Sequence, residues 1–204
     1  MLQRLVARDR VAVDVGAADG VYTHCLTRLA SECVAFEPNP DSAAAVRHRV
    51  PRANVYEIAL SDRSGRTTLR VPMRSGARMA GLATIEAANS LHGMEFANLN
   101  VAVSTLDAFK LPRVGFIKID VEGHELAVLR GAERTLMRDR PVVLVEVEER
   151  HRPGARESVI AWLKARGYAK QAIPSVQNML FIFAATKQGE CPGGAGQKTG
   201  AGRC

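Results

Sequence analysis

The segment Val11–Gly20 has the sequence VAVDVGAADG and joins an apolar run to a glycine-bearing turn. Its first half is rich in β-branched residues, which is typical of a buried strand. A helical pattern follows, because apolar residues between Val21 and Leu29 fall roughly on one face. Strand, tight turn and helix predict the opening unit of a nucleotide-binding α/β sheet, in which ligands lie beyond the carboxyl ends of the strands.

The turn has the spacing Gly-x-x-x-Gly, from Gly16 to Gly20, and Ala17 stands near the position of the second glycine of a dinucleotide fingerprint. Asp14 precedes the turn and Asp19 lies within it. Negative charge there repels a pyrophosphate and suits a cationic, amino-bearing ligand, so the turn favours S-adenosylmethionine over NAD. The alternative is a loop that only turns, with Asp19 as the N-cap of the helix.

The composition of the 204-residue chain predicts one domain. No stretch reaches the roughly 18 consecutive apolar residues of a membrane span. The net charge of +7 is dispersed and aromatic residues are few, which favours a solvated basic surface over a nucleic-acid site. The four cysteines lack paired metal-ligand spacing and indicate reduced thiols in a cytoplasmic protein. We therefore predict a domain over residues 1–187 and a disordered tail over residues 188–204.

Several later segments predict further sheet structure. The runs Asn54–Leu60 and Thr67–Val71, separated by a cluster of turn residues, predict a small β-hairpin excursion. The irregular stretch Pro72–Leu99 predicts a flexible cover over the acceptor site. Near the end, Tyr168 begins one strand and Asn178–Ala184 forms the last. With no helix between them, these two strands predict an antiparallel edge on a mostly parallel sheet.

Glu37 follows the apolar run Cys33–Phe36, about 20 residues after the glycine turn. A carboxylate at the tip of that strand is placed to accept hydrogen bonds from both hydroxyls of a ribose. The alternative is a surface carboxylate at a strand end. If Gly16 and Glu37 have these roles, the stretch Ala59–Asp62 lies where an adenine would rest, although an ordinary hairpin start explains it too.

The segment Ile117–Glu125 concentrates ionisable residues at one predicted strand end. Alternation along the strand places Lys118, Asp120 and Glu122 toward one side. A lysine within an apolar strand needs a partner, so we expect Lys118 to pair with a carboxylate. Asp120 as an N-cap and His124 as a backbone hydrogen-bonding residue are the structural alternatives. The density of titratable groups favours a catalytic role over these structural alternatives.

These motifs, in this order, resemble the FkbM-type methyltransferases, a branch of the class I S-adenosylmethionine-dependent enzymes. The resemblance covers roughly residues 10–185 and is most specific over Ile117–Glu125. It implies an α/β, Rossmann-like three-layer sandwich, whose mostly parallel seven-stranded sheet has an antiparallel last strand. It also implies that Gly16 and its neighbours hold the methionine end of the cofactor. The predicted cofactor-binding residues are Asp14, Gly16, Ala17, Asp19, Gly20, Glu37, Ser61, Asp62 and Asp120.

The resemblance implies methyl transfer to a hydroxyl of a sugar or other small molecule. An alcohol must lose its proton, and we expect Asp120 or His124 to be the base, with Lys118 keeping Asp120 ionised and Glu122 nearby. No metal site is predicted, although Asp120, Glu122 and His124 are able to ligate a divalent ion. The alternatives are an NAD-dependent oxidoreductase, a non-catalytic cofactor- or partner-binding module and an RNA methyltransferase.

Overall fold

The computed structural model describes residues 2–90, 93–171 and 180–185. The described strands form one seven-stranded sheet and one four-stranded sheet. In chain order, the strands β1 to β11 are Val11–Val15, Glu32–Phe36, Asn54–Tyr56, Ala59–Leu60, Gly65–Arg74, Ala77–Arg78, Phe96–Ser104, Val114–Ile119, Val142–Glu146, Tyr168–Gln171 and Leu180–Ala185. The helices α1 to α5 are Val21–Leu29, Pro40–Arg49, Glu125–Gly131, Glu133–Asp139 and Ala155–Lys164. The predicted tail, residues 188–204, lies outside the described residues.

The large sheet has the strand order β10-β11-β9-β8-β1-β2-β3. Strand β11 pairs antiparallel with both of its neighbours, and the other pairings in this sheet are parallel. The predicted Rossmann-like class, with an antiparallel last strand, is therefore confirmed. The predicted antiparallel edge is also confirmed, since β10 and β11 pair antiparallel at one end of the sheet, with β10 as the edge strand and β11 between β10 and β9.

Helices cover both faces of this sheet, because alternate side chains of each central strand point to opposite faces. On one face Ala12, Cys33 and Phe116 pack with Leu26 of α1. On the other face the core of the sheet packs with side chains of α3, α4 and α5. These layers leave the carboxyl ends of β1, β2 and β8 at one edge of the sandwich, where the glycine turn lies.

The small sheet has the order β4-β7-β5-β6, and it corrects the predicted hairpin. The run Asn54–Leu60 splits into two strands, of which β3 pairs with β2 in the large sheet and β4 pairs with β7. Strands β4 and β5 are not neighbours, because β7 lies between them and forms the long antiparallel pairing with β5. A late strand therefore displaces the local pairing that a short turn suggests.

The segment predicted as an irregular cover is more regular than expected. Strand β5 continues to Arg74, β6 follows, and a 3₁₀ turn spans Ala80–Leu82 before β7 begins at Phe96. Thr84 pairs with Arg70 of β5 through a bridge in which each backbone N–H donates to the other residue's carbonyl. We call residues 80–90 the cover, since they pass over the carboxyl end of the large sheet.

Apolar residues repeat at helical spacing over residues 126–137, as in one continuous helix. The structure has two helices there, α3 and α4, which meet at Ala132. The Asp107 carboxylate accepts hydrogen bonds from the backbone N–H groups of Arg134 and Thr135, and so satisfies the first turn of α4. The short 3₁₀ turn Leu106–Phe109, which contains Asp107, is capped by Thr105. A long-range carboxylate therefore defines a helix start inside what looks like a continuous periodic run.

Candidate active site

The glycine turn after β1 is built around a close approach of two strand ends. Gly16 has φ +78°, and a Cβ at this position would lie 1.8 Å from the carbonyl oxygen of Asp120. Its N–H donates to the carbonyl of Phe36 at 3.0 Å, which joins β1 to β2. Only glycine satisfies both the backbone conformation and the lack of space.

The side chain of Lys118 contacts both the glycine turn and the two neighbouring aspartates. Its Nζ donates to the Gly16 carbonyl at 2.7 Å and lies 3.4 Å from Asp14 Oδ1 and 3.5 Å from Asp120 Oδ2. Burial by itself lowers the pKa of Lys118, but the charges of Asp14 and Asp120 outweigh burial and raise it above its ordinary value. The expected pairing of this lysine with a carboxylate is confirmed.

Glu37 extends from the end of β2 and is buried, with 5% of its surface exposed. Its carboxylate accepts hydrogen bonds from the N–H groups of Ala18 at 2.8 Å and Asn39 at 2.9 Å, one on each oxygen. Burial raises the pKa of Glu37, while these two N–H donors and the charge of Lys118 oppose that rise. Each oxygen retains a lone pair with which to accept a further hydrogen bond.

A cleft lies between this edge of the large sheet and the small sheet. The sheet wall of the cleft includes Val15, Gly16, Ala18, Phe36, Glu37, Pro38, Asp120, Val121 and Glu122. The cover wall, contributed by the small sheet and the cover, includes Ile58, Ala59, Leu60, Leu69, Ala80, Gly81, Ala83 and Ile85. The carboxylates are thus confined to the sheet wall, and the cover wall is apolar.

Two of the predicted catalytic residues, Asp120 and Glu122, line the cleft. Burial raises the pKa of Asp120, and the positive charge of Lys118 opposes this effect without reversing it. Lys118 therefore acts on Asp120 in the expected direction, but burial is stronger. A carboxylate with a raised pKa is a better proton acceptor than an ordinary one.

The structure does not bring His124 into the cleft lining. Its Nδ1 lies 3.0 Å from Oε2 of Glu86 in the cover, and its Nε2 lies 2.9 Å from Oγ of Ser61 after β4. Burial raises the pKa of Glu86, but the Ala88 N–H and His124 together lower it below its ordinary value. With both ring nitrogens engaged, His124 connects α3, β4 and the cover, and of the two expected bases only Asp120 faces the cleft.

A protein-family model described as the Methyltransferase FkbM domain matches residues 14–170. The chain belongs to this family. The matched range contains the glycine turn, Glu37 and the ionisable segment after β8. The resemblance seen in the sequence is therefore confirmed at the level of the family.

Known proteins that are similar to the chain are also named as methyltransferases. The chain is 30% identical over 139 residues to the hexuronic acid methyltransferase AglP of Haloferax volcanii, an alignment that covers 63% of this chain and 52% of AglP. A methyltransferase FkbM structure from Methylobacillus flagellatus KT superposes with a TM-score of 0.61 at 15% identity, covering 87% of this chain and 44% of that one. An O-methyltransferase from Bacillus cereus in complex with SAH superposes with a TM-score of 0.50 at 20% identity, covering 87% and 74%. The chain thus spans about half the length of AglP and of the Methylobacillus flagellatus protein.

Several predicted cofactor-binding residues of this FkbM domain lie away from the cleft. The Asp14 carboxylate is fully buried on the α1 side, where it accepts a hydrogen bond from the Thr23 hydroxyl at 2.6 Å. Ala17 packs with Ala35 and Val46. Asp14 and Ala17 are therefore not among the residues that line the cleft.

The structure also places Asp19, Gly20, Ser61 and Asp62 outside the lining of this cleft. Asp19 and Gly20 line a separate surface hollow beside α1, and Gly20 rather than Asp19 occupies the N-cap position. Ser61 is buried and contacts His124, and Asp62 is exposed. The chain turns away from the cleft after Leu60, so Ala59 and Leu60 of the predicted adenine stretch line the cleft and Ser61 and Asp62 do not.

Sequence reasoning missed four residues of the FkbM domain that contact the segment after β8. Thr84 and Asn89 donate hydrogen bonds to the Glu122 carbonyl, Glu86 contacts His124, and His151 lies 2.9 Å from the Glu122 carboxylate. Polar and ionisable residues in irregular segments are the only sequence signal of these contacts. That signal does not distinguish them from solvated side chains.

Neither a metal site nor a membrane span is found in the part of the chain that the structure describes. No group of three or more His, Cys, Asp or Glu side chains within residues 2–90, 93–171 and 180–185 is arranged to hold a metal ion. Within the same residues, no helix combines the length and apolar character needed to cross a membrane.

Proposed function

We propose that this FkbM domain binds S-adenosylmethionine in the cleft and transfers its methyl group to a hydroxyl of a sugar or other small molecule. The observation that carries the proposal is the placement of the Glu37 carboxylate beside the bare backbone of Gly16 and the apolar cover wall. The ribose of S-adenosylmethionine requires a hydrogen-bond acceptor for its two hydroxyls, and its adenine requires an apolar pocket. Its methionine end requires a place where the backbone can be approached closely.

The residues present fit the cofactor in three parts. The Glu37 oxygens have lone pairs for two ribose hydroxyls. The apolar side chains of Ile58, Ala59 and Leu60 suit an adenine ring. Gly16 has no side chain, which leaves the backbone open to the methionine end, and the nearby Asp120 carboxylate suits a positive charge.

Methyl transfer from S-adenosylmethionine does not require the protein to form a covalent bond with either substrate. S-adenosylmethionine, when bound, supplies a methyl carbon on a sulfonium, which is already a strong electrophile. The residues of the cleft must therefore hold the acceptor oxygen in line with that carbon and provide a proton acceptor. With Glu37 assigned to the ribose, Asp120 and Glu122 are the remaining carboxylates that line the cleft. The proposal assigns no metal to this step.

The comparisons support the choice of cofactor and acceptor. AglP is named a hexuronic acid methyltransferase, which supports a sugar acceptor for this chain. The structure from Bacillus cereus holds SAH, which supports the use of S-adenosylmethionine. A small-molecule acceptor also agrees with the scarcity of aromatic residues for base stacking.

Calorimetric titration with S-adenosylhomocysteine tests the proposal. We expect the wild type to bind it and not to bind NAD. The Glu37→Ala variant should weaken binding by roughly 10- to 100-fold, since charged hydrogen bonds contribute about 1.5–3 kcal/mol. The matched control is Glu57→Ala, which removes an exposed carboxylate paired with Arg47 and should leave binding unchanged.

The outcomes separate the proposal from its alternatives. If the wild type does not bind S-adenosylhomocysteine, the enzyme proposal fails and a methyltransferase-shaped binding module is the better account. Binding that is equally strong in Glu37→Ala would retain the cofactor but remove the ribose role from Glu37. Binding of NAD in the same cleft would favour an oxidoreductase.

A further inference from the structure

Glu122 adopts a backbone conformation that is unfavourable for its residue type. Its φ is +54°, in the left-handed region that glycine occupies without strain, and Gly123 follows at φ +107°. Non-glycine residues in this region persist only where the surroundings hold them, and they cluster at functional sites.

The cover holds the Glu122 peptide in this conformation. The Thr84 hydroxyl donates to the Glu122 carbonyl at 2.8 Å, and Nδ2 of Asn89 donates to the same oxygen at 2.9 Å. Both donors are buried. The backbone on one side of the cleft is therefore fixed by side chains that come from the other side.

The Glu122 carboxylate faces a buried histidine from the loop between β9 and α5. His151 is 4% exposed, and its Nε2 lies 2.9 Å from Oε2 of Glu122. A Cβ on Gly123 would lie 3.0 Å from the Cβ of His151, so the glycine makes room for this side chain. Neither ring nitrogen meets hydrogen-bond geometry with any described residue, so the pair is a close contact between the ring nitrogen and the carboxylate oxygen.

We infer that Glu122 is the general base for the acceptor hydroxyl and that His151 is the positioning residue that holds its carboxylate. This inference rests on the proposed function. The hydroxyl proton passes to Glu122 as the acceptor oxygen bonds to the methyl carbon and the carbon–sulfur bond breaks, which leaves its electron pair on sulfur. The proton then stays on the Glu122–His151 pair until solvent removes it.

Asp120, which lines the cleft together with Glu37 and Glu122, has a different set of contacts from Glu122. Its side chain lies 3.5 Å from Lys118, which also binds the Gly16 carbonyl, so Asp120 belongs to the cofactor end of the cleft. Glu122 is two residues farther along and contacts the β9–α5 loop instead. The charged groups around the Glu122–His151 pair are Asp120, Glu125, Glu146, Glu148 and Arg150.

The test measures methyl transfer from labelled S-adenosylmethionine to methyl α-D-glucopyranoside and to the corresponding glucuronide and glucosaminide. With whichever of these sugars is methylated fastest, Glu122→Gln should lower kcat by about 100-fold or more, within the range of general base catalysis. His151→Asn should lower kcat by about tenfold and change the KM for the sugar little. Both variants should bind S-adenosylhomocysteine with a Kd within twofold of the wild type.

A double variant separates positioning from a merely structural role. If His151 acts through Glu122, adding His151→Asn to Glu122→Gln should lower kcat no further. The control is His48→Asn, an exposed histidine in the last turn of α2, which should match the wild type. If His151→Asn does not fold, His151→Gln takes its place in the same cycle.

Three results would overturn the inference. They are a kcat for Glu122→Gln within threefold of the wild type, independent effects of the two substitutions, and no wild-type transfer to any of the three sugars while S-adenosylhomocysteine binds. A wild type that does not bind S-adenosylhomocysteine would instead overturn the proposed function. The two failures are therefore distinguishable in the same set of measurements.

Discussion

The two walls of the cleft are held in place in different ways. On the sheet wall, Gly16, Lys118 and Glu37 join the ends of β1, β2 and β8 through contacts that are short, buried and shared. On the cover wall the lining is apolar, and the cover is attached to the segment after β8 mainly through Thr84, Glu86 and Asn89.

This difference indicates a division of labour within the site. Groups that are fixed from several directions keep their geometry without a ligand, which suits the recognition of a cofactor whose shape does not vary. A segment attached by a few side-chain hydrogen bonds opens at a lower free energy than the core of the sheet. The sheet wall is thus the more firmly held part of the cleft, and the cover is the part that opens more readily.

The strongest test of the sheet wall is Lys118→Met. Removing this amine leaves Asp14 buried beside Asp120 with no cation, and breaking such a pair should lower the free energy of unfolding by about 3–5 kcal/mol. Urea unfolding measures the change. The control is Arg47→Met, which breaks an exposed pair with Glu57 and should lower stability by less than about 1 kcal/mol. Equal losses in the two variants would contradict the view that the sheet wall is fixed by Lys118.

A second test separates backbone strain from close approach at the glycine turn. Gly16→Ala places a Cβ against the Asp120 carbonyl, and it should lower the free energy of unfolding by roughly 2–4 kcal/mol. Gly76 has nearly the same φ, +77°, but a Cβ there meets no atom within 4 Å. Gly76→Ala should therefore show only the strain, roughly 1–2 kcal/mol. If the two variants unfold at the same denaturant concentration, the contact with Asp120 contributes nothing.

The smallest expected effect tests the attachment of the cover. Glu86→Gln weakens the contact with His124 and should lower global stability by only about 1 kcal/mol. Amide hydrogen exchange in residues 84–90 should nevertheless become faster, while exchange in β1 and β8 should not change. Glu57→Gln is the exposed control. Uniform acceleration across the whole domain would show that the cover does not open separately from the sheet.

Local sequence patterns predicted the features of the site that depend on one strand and the turn after it. The β-branched run before Gly16 identified β1, and the spacing to Glu37 identified the second strand end. Lys118 was placed correctly because a charge inside an apolar strand needs a partner wherever the strand lies. These inferences required no knowledge of how distant segments meet.

The features that were missed or wrong depend on contacts between segments far apart in the chain. The sequence of β4 does not show that β7, rather than β5, is its neighbour. His124 resembles a catalytic residue because it stands in a dense cluster, but Glu86 and Ser61 turn it away from the cleft. His151 resembles an ordinary loop residue, and only tertiary packing places it against Glu122.

The position of β11 bears on how the protein is assembled during translation. Strand β9 emerges from the ribosome well before β11, yet β11 is the strand that occupies one of its edges. Until Leu180–Ala185 is synthesised, β9 presents unpaired backbone groups and β10 has no neighbour in the sheet. Such an edge on a nascent chain favours aggregation or chaperone binding. The strands whose ends form the sheet wall of the cleft do not depend on β11 for their pairing, because β1 pairs directly with both β2 and β8.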